Sequence, residues 1–164
     1  MIADRRPGPR SGIGYDSHRF APGGPLTLGG VAIPSDVHLH GHSDGDAIAH
    51  AVTDAILGAA ALGDIGAMFA DTDPANAGRD SIEMLRLATA RLRAAGWRVQ
   101  QLDVVVIAET PMIAPHRDAM RARLAEALGV EPERVAVRAT TTDGLGFTGR
   151  REGLAAQAVA LLRR

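Results

Sequence analysis

The stretch SDGDAIAHAVTDAILGAAAL, residues 43–62, decides what kind of fold this chain adopts. Ala47, Ile48, Ala51, Val52, Ala55 and Ile56 recur at the spacing of one helical face. The pattern predicts a helix capped by Ser43 or Asp44 and running to about Leu62, with Ser43 and Asp46 at roughly capping-box separation. Asp46, His50 and Asp54 lie one helical turn apart in succession and form a polar stripe. Such a stripe is ordinarily a solvated face. Here it starts at a helix N-terminus, whose free N–H groups favour phosphate.

Before this helix, Arg10 to Phe20 reads as a strand. Leu26-Thr27-Leu28 and Val31-Ala32-Ile33 read as a hairpin, because the intervening Gly29-Gly30 permits the positive φ angles of a two-residue turn. Pro34 ends the hairpin, and His38 to Gly41 reads as loop. After Gly63 comes an acidic, glycine-containing loop up to Pro74, long enough to suggest function, although a capped turn explains the same residues. Ser81 to Ala95 is an amphipathic helix stopped by Gly96, and Leu102 to Ala108 is a β-branched run typical of a buried strand. Pro115 to Leu128 reads as a third helix followed by Gly129, and Arg134 to Thr141 as a strand. Gly153 to Leu162 is ambiguous, since Ala and Leu favour helix and the alternation is weak. With no repeat and no linker, residues 10–164 read as one α+β domain. Residues 1–9, rich in Arg and Pro and without the apolar run of a secretory signal, read as a disordered tail.

Lys+Arg number 18 against 19 Asp+Glu, so nothing points to a nucleic-acid surface. Cysteine is absent, which excludes disulfides, thiol nucleophiles and Cys-ligated zinc and fits a reducing, cytoplasmic setting. No apolar run approaches the ~18–20 residues of a membrane span. Aromatic residues make up only 3%, so the core is aliphatic and Ala-rich; oligomerisation would supply buried area that such thin side chains lack.

Chemistry-bearing residues gather early. Asp16 and His18, two apart in a strand, face the same way and suit one metal ion. A carboxylate and neutral imidazoles suit Zn²⁺, and three protein ligands would leave a fourth position open for substrate. Spacing leaves His42 and His50 as alternative third ligands, while His38 and His40 sit in polar loop with no partner spacing. Thr140-Thr141-Thr142-Asp143 places hydroxyls and a carboxylate at a strand end, where an anion could be met. No Walker loop, dinucleotide fingerprint or Ser-His-Asp order accompanies them. Metal plus anion-binding elements point to phosphate chemistry.

Six stretches carry a resemblance: GYDSH at 14–18, HSDGD at 42–46, ALGDIG at 61–66, DTDP at 71–74, TTT at 140–142 and GFTGR at 146–150. In this order, over nearly the whole chain, they resemble the 2-C-methyl-D-erythritol 2,4-cyclodiphosphate synthase family of the non-mevalonate isoprenoid pathway. The resemblance implies a mixed β-sheet with helices packed on one face, assembling as a homotrimer with active sites between subunits. It implies that Gly153 to Leu162 is a strand. It selects Asp16, His18 and His50 as ligands of one Zn²⁺ per subunit, and gives His42 and Thr141 the task of stabilising the transition state at the phosphates. The diphosphate would bring Mg²⁺ or Mn²⁺, with Asp143, where the family commonly has Glu, at this second metal.

Further substrate contacts are implied residue by residue. Asp16, His18, His42 and Ser43 are counted among the substrate-binding residues. Asp64, Ile65 and Gly66, with the loop Phe69, Ala70, Asp71, Thr72 and Asp73, hold the methylerythritol part. Ala108, Glu109, Thr110, Pro111, Met112, Ile113 and Ala114 form the cytosine-binding segment. Thr140 and Thr142 flank Thr141, and Phe147 and Arg150 lie near the substrate and a central trimer cavity. Met112 stands where a Lys is common, and Ala70 replaces a frequent Pro. The implied partner is a cytidine diphosphate substrate. A zinc-dependent phosphohydrolase, or a non-catalytic trimer binding nucleotides or isoprenoid diphosphates, are the alternative readings.

Overall fold

The computed structural model describes residues 8–164. The tail expected over residues 1–9 lies, as far as residue 7, outside the described residues; Gly8 and Pro9 are exposed and form no regular element.

The chain runs β1 (Arg10–Pro22), β2 (Leu26–Leu28), β3 (Val31–Ile33), β4 (Val37–Leu39), α1 (Ala47–Ala60), α2 (Ile65–Met68), α3 (Ser81–Ala94), β5 (Arg98–Ile107), α4 (Arg117–Leu128), β6 (Val135–Thr140), α5 (Gly146–Gly149) and β7 (Gly153–Arg163). Five strands form a sheet in the order β4-β1-β7-β5-β6. The β5–β6 pair is parallel and the other pairs are antiparallel, so the sheet is mixed as expected. Helices α1, α3 and α4 cover one face, where Leu102, Val104, Val106, Ala156 and Ala158 are buried under them. The other face is open: Ile13, Tyr15 and Val159 are 63%, 55% and 45% exposed, apolar surface that a lone chain leaves in water.

β7 lies at the centre of the sheet, paired along both edges. Its Ala-rich sequence favours helix locally, but two hydrogen-bonded neighbours and burial override that propensity, and small side chains let α1 lie close. β2 and β3 form the expected hairpin, with Gly29 and Gly30 both in the left-handed region (φ 58° and 71°).

Three local expectations are corrected. His38 and Leu39 belong to a short strand, not to a loop: β4 pairs with the end of β1, with Phe20 opposite Leu39. The cap of α1 is Asp46 rather than Ser43 or Asp44, and the helix ends at Ala60, with Ala61 in the left-handed region at φ 57°. The third helix begins at Arg117, because Pro115 sits in a separate 3₁₀ turn, Ala114–His116.

Asp46 also overturns the reading of its stripe as a solvated face. It is fully buried. One carboxylate oxygen accepts from Gly29 N (2.8 Å) and Ala49 N (3.1 Å), the other from Gly30 N (2.7 Å). The same side chain caps α1 and pins the hairpin turn onto it, so at this position the stripe serves packing rather than solvent.

Candidate metal centre and substrate cavity

Alternate residues of β1 face α1. Among them, Gly12 and Gly14 have no side chain, and α1 uses the space: a Cβ on Gly14 would lie 1.8 Å from Ala51 O, and one on Gly12 2.2 Å from Ala55 O. The next residues of that face are Asp16 and His18, and α1 lying this close brings its first turn over them. His50 is in that turn, its N–H bonded to Asp46 O (3.0 Å).

Three side-chain atoms converge as a result. His18 Nε2 is 2.8 Å from Asp16 Oδ2, His50 Nδ1 is 3.0 Å from the same oxygen, and the two nitrogens are 3.2 Å apart. Tetrahedral zinc with bonds of about 2.0–2.1 Å needs ligand atoms about 3.3 Å apart. The triad therefore needs only slight spreading to hold such an ion. The outer nitrogens are occupied by the protein: His18 Nδ1 is 2.7 Å from His40 O, and His50 Nε2 is 2.9 Å from Ser81 Oγ and 3.0 Å from Ser43 Oγ. A carbonyl only accepts, so His18 donates through Nδ1, which would leave the Nε2 lone pair for a metal ion in place of the proton it shares with Asp16.

Without a metal the triad is an ion-pair network. Burial by itself pushes the Asp16 carboxyl up, but hydrogen bonds and charge from His18 and His50 outweigh it and hold the group well below the usual carboxylate range. The hydrogen bond to Asp16 lifts the His18 imidazole above its ordinary value, against the opposing effect of burial. A site that favours a nearby positive charge in this way suits a cation.

The triad forms one wall of a cavity of about 230 Å³. His42 and Ser43 border it on one side, and Ile65, Gly66, Phe69 and Asp71 on another. Carboxylates hold the acidic loop in place: Asp64 caps α2, Asp73 caps a 3₁₀ turn at Pro74–Asn76, and Asp54 of α1 accepts from Ile65 N (2.7 Å). Capping thus accounts for Asp64 and Asp73. Asp71 faces the cavity, while Ala70 and Thr72 are exposed and do not border it. Phe69 is buried, with the Arg79 guanidinium 5.4 Å from its ring centroid.

The remaining predicted residues gather elsewhere in the chain. Ala108–Ala114 follows β5 and Thr140–Asp143 ends β6, and the two segments are tied together. Ala108 N donates to Thr140 O (3.0 Å), and Glu109 Oε1 accepts from Thr142 N (3.2 Å) and Gly144 N (3.3 Å). Asp143 is exposed and in the left-handed region at φ 56°. None of these residues borders the triad cavity within one chain. Phe147 lies between the two groups, bordering one hollow with His18 and another with Tyr15 and Thr142. Arg150 pairs with Glu152 (2.8 Å). Sequence reading missed Asn76 and Met84, which line the cavity, and Ser81, which lies against His50 from 31 residues away. No spacing rule links residues so far apart.

The model of the YgbB family matches residues 9–163. The chain belongs to the YgbB family. The 2-C-methyl-D-erythritol 2,4-cyclodiphosphate synthase of Gemmatimonas aurantiaca is 62% identical over 153 residues, which is 93% of this chain and 92% of that protein. Among solved structures, a CDP-bound form of a synthase of that name superposes with a TM-score of 0.86 at 41% identity, covering 94% of this chain and all of the other. Bifunctional IspDF from Campylobacter jejuni gives a TM-score of 0.91 at 41% identity; 94% of this chain is covered, and it spans 42% of that longer protein. This YgbB member therefore shares the α+β fold of those synthases. No helix among its described residues is long and apolar enough to cross a membrane.

Proposed function

We propose that the chain converts 4-diphosphocytidyl-2-C-methyl-D-erythritol 2-phosphate to 2-C-methyl-D-erythritol 2,4-cyclodiphosphate and CMP. The observation that carries this reading is the Asp16–His18–His50 triad on the wall of a cavity, in a chain 62% identical to such a synthase over nearly its whole length.

The 2-phosphate attacks the β-phosphorus of the same molecule's diphosphate, a P–O bond forms as the bond to CMP breaks, and CMP leaves as an anion. The nucleophile is already charged, so no strong general base is required. The protein's work is to fold the substrate on itself and balance its charge. Asp16, His18 and His50 would hold Zn²⁺, which when bound supplies a Lewis acid beside the phosphate oxygens, while Mg²⁺ or Mn²⁺ would accompany the diphosphate near Asp143. Ile65, Gly66, Phe69 and Asp71 would enclose the methylerythritol part, and His42 and Ser43 at the cavity edge would meet phosphate oxygens. Ala108–Ala114 would take the cytosine, with Thr141 opposite His42 at the phosphates.

These two groups lie apart in one chain, and the sheet's open face carries exposed Ile13, Tyr15 and Val159. Both features support a homotrimer in which the β5–β6 end of one subunit completes the cavity of the next. A cytoplasmic location fits the absence of cysteine.

Phosphorus NMR of the purified protein with the diphosphocytidyl substrate tests the reading. The expected products are a cyclic diphosphate and CMP. CMP with an uncyclised product would make the protein a phosphohydrolase, and binding without turnover would make it a non-catalytic nucleotide binder.

A further inference from the structure

His50 must present a lone pair from Nδ1 to serve as a ligand, so its proton must sit on Nε2. Two hydroxyls face that nitrogen, and a hydroxyl can either donate or accept. Within the triad Asp16 Oδ2, 3.0 Å from Nδ1, accepts a proton there when no metal is present, so it does not hold the proton on Nε2. The residues behind His50 do.

Asp44 has a carboxylate that gathers donors from three directions. Asp46 N (3.1 Å) and Ser81 Oγ both bond to Oδ1, and Ser81 N bonds to Oδ2 (3.1 Å). A carboxylate oxygen only accepts, so the Ser81 hydroxyl donates to it. Ser81 is fully buried. Its remaining lone pairs then face His50 Nε2 at 2.9 Å. The hydrogen-bond direction is thereby fixed as His50 Nε2–H to Ser81 Oγ, and Ser81 O–H to Asp44. Ser43 Oγ, 3.0 Å from the same nitrogen and 3.3 Å from Ser81 Oγ, is part-exposed and free to turn.

We propose that Ser81, oriented by Asp44, is a positioning residue that holds the proton of His50 on Nε2 and so leaves Nδ1 to the metal; this rests on the metal-centre reading above. The relay also joins two parts of the site. Asp44 N donates to Arg79 O (3.2 Å) and Gly78 N to His42 O (2.8 Å). The start of α3, the end of the substrate loop and the segment carrying His42 are therefore one hydrogen-bonded unit with the imidazole.

The test compares the parent with Ser81→Ala, Asp44→Asn and, as a control on the same helix, Glu83→Gln. Long-range ¹H–¹⁵N correlation on metal-free protein reads the protonation of His50 Nε2 directly. Calorimetric titration with Zn²⁺ alone reads affinity. The parent is expected to carry a proton on His50 Nε2 whether or not Nδ1 also donates to Asp16. Ser81→Ala is expected to lose the Nε2 proton in part of the molecules and to show a Zn²⁺ dissociation constant raised about 10–100-fold, the usual effect of removing such an outer partner. Asp44→Asn, which keeps the Ser81 hydroxyl but loses one acceptor oxygen, is expected to shift both readouts in the same direction by less. Glu83→Gln should change neither. If Ser81→Ala and Asp44→Asn both keep His50 Nε2 protonated as in the parent and bind Zn²⁺ within twofold of it, the proposal is wrong. A parent in which His50 Nε2 carries no proton also overturns it. Failure of the parent itself to bind Zn²⁺ would instead overturn the metal-centre reading.

Discussion

Gly14 of β1 lies so near Ala51 of α1 that a Cβ on the glycine would be 1.8 Å from the alanine's carbonyl oxygen. This approach lets His50 come within 3.0 Å of Asp16. The metal centre depends on the missing side chain as directly as on its ligands.

Gly14→Ala is therefore expected to push α1 from β1. Overpacking of this kind costs about 1–3 kcal/mol, and here the obstacle is rigid backbone, so the upper end applies. Bound Zn²⁺ should fall with it. Gly58, also in α1, is the contrast: a Cβ there would meet nothing within 4 Å. Gly58→Ala should stabilise by about 0.5–1 kcal/mol with full metal content. Urea unfolding and metal analysis of both variants check this; equal behaviour would refute the close-approach argument.

Asp46→Ala removes a helix cap and leaves the Gly29 and Gly30 N–H groups without their acceptor. A lost cap costs about 1 kcal/mol and a buried unsatisfied donor about 1–3 kcal/mol, so a loss of about 3 kcal/mol is expected. Denaturant midpoints measure it, and a change below about 1 kcal/mol would show that the hairpin is held by other contacts.

The pH dependence should reverse with metal content. A histidine whose folded pKa lies above its unfolded value adds stability that is fully present below about pH 6.5 and is lost as pH rises through the folded pKa. His18 is such a group. Asp16, held low, contributes above its unfolded pKa and loses that contribution only as pH falls through its folded value, so it stays constant near neutrality. Metal-free protein should thus lose this increment of stability from about pH 6.5 upward. Zn²⁺-saturated protein should gain over the same range, because ligand imidazoles must be unprotonated. Thermal melts with chelator and with Zn²⁺ follow both trends, and parallel curves would contradict the assignment of His18.

Asp143 is expected to serve the second metal directly or through one water, since Mg²⁺ keeps several waters in its shell. Asp143→Asn should raise the Mg²⁺ needed for half-maximal rate while Zn²⁺ content stays unchanged. Asp143→Glu should keep activity, with a small loss of stability because the residue sits at φ 56°, where Asp and Asn are better tolerated than longer side chains. Magnesium titration of initial rates decides; an Asp143→Asn curve matching the parent would remove Asp143 from the metal.

Light scattering should give a mass near three times the 17.1 kDa chain. A stable active monomer would sink the shared-site arrangement.

Periodicity and punctuation alone determined much of this protein. The helix after Gly45, the Gly29-Gly30 hairpin, the β-branched strand β5 and the glycine that ends α4 follow from local sterics and from apolar residues at helical or alternating spacing. Asp16 and His18 could be paired because a strand's alternation places them on one face. His50 could not be chosen over His42 by spacing, since the choice depends on how closely α1 lies on β1, which Gly12 and Gly14 permit only once the sheet exists. Tertiary structure alone decided that β7 is a central strand, because two flanking strands outweigh the helical preference of its alanines. It buried Asp46, whose position in the sequence looked solvent-facing, by folding the β2–β3 turn onto it. It also brought Ser81 to His50. Local sequence encodes backbone preference and face, whereas contacts between distant residues exist only after the chain has closed on itself, and the metal centre is made of those contacts.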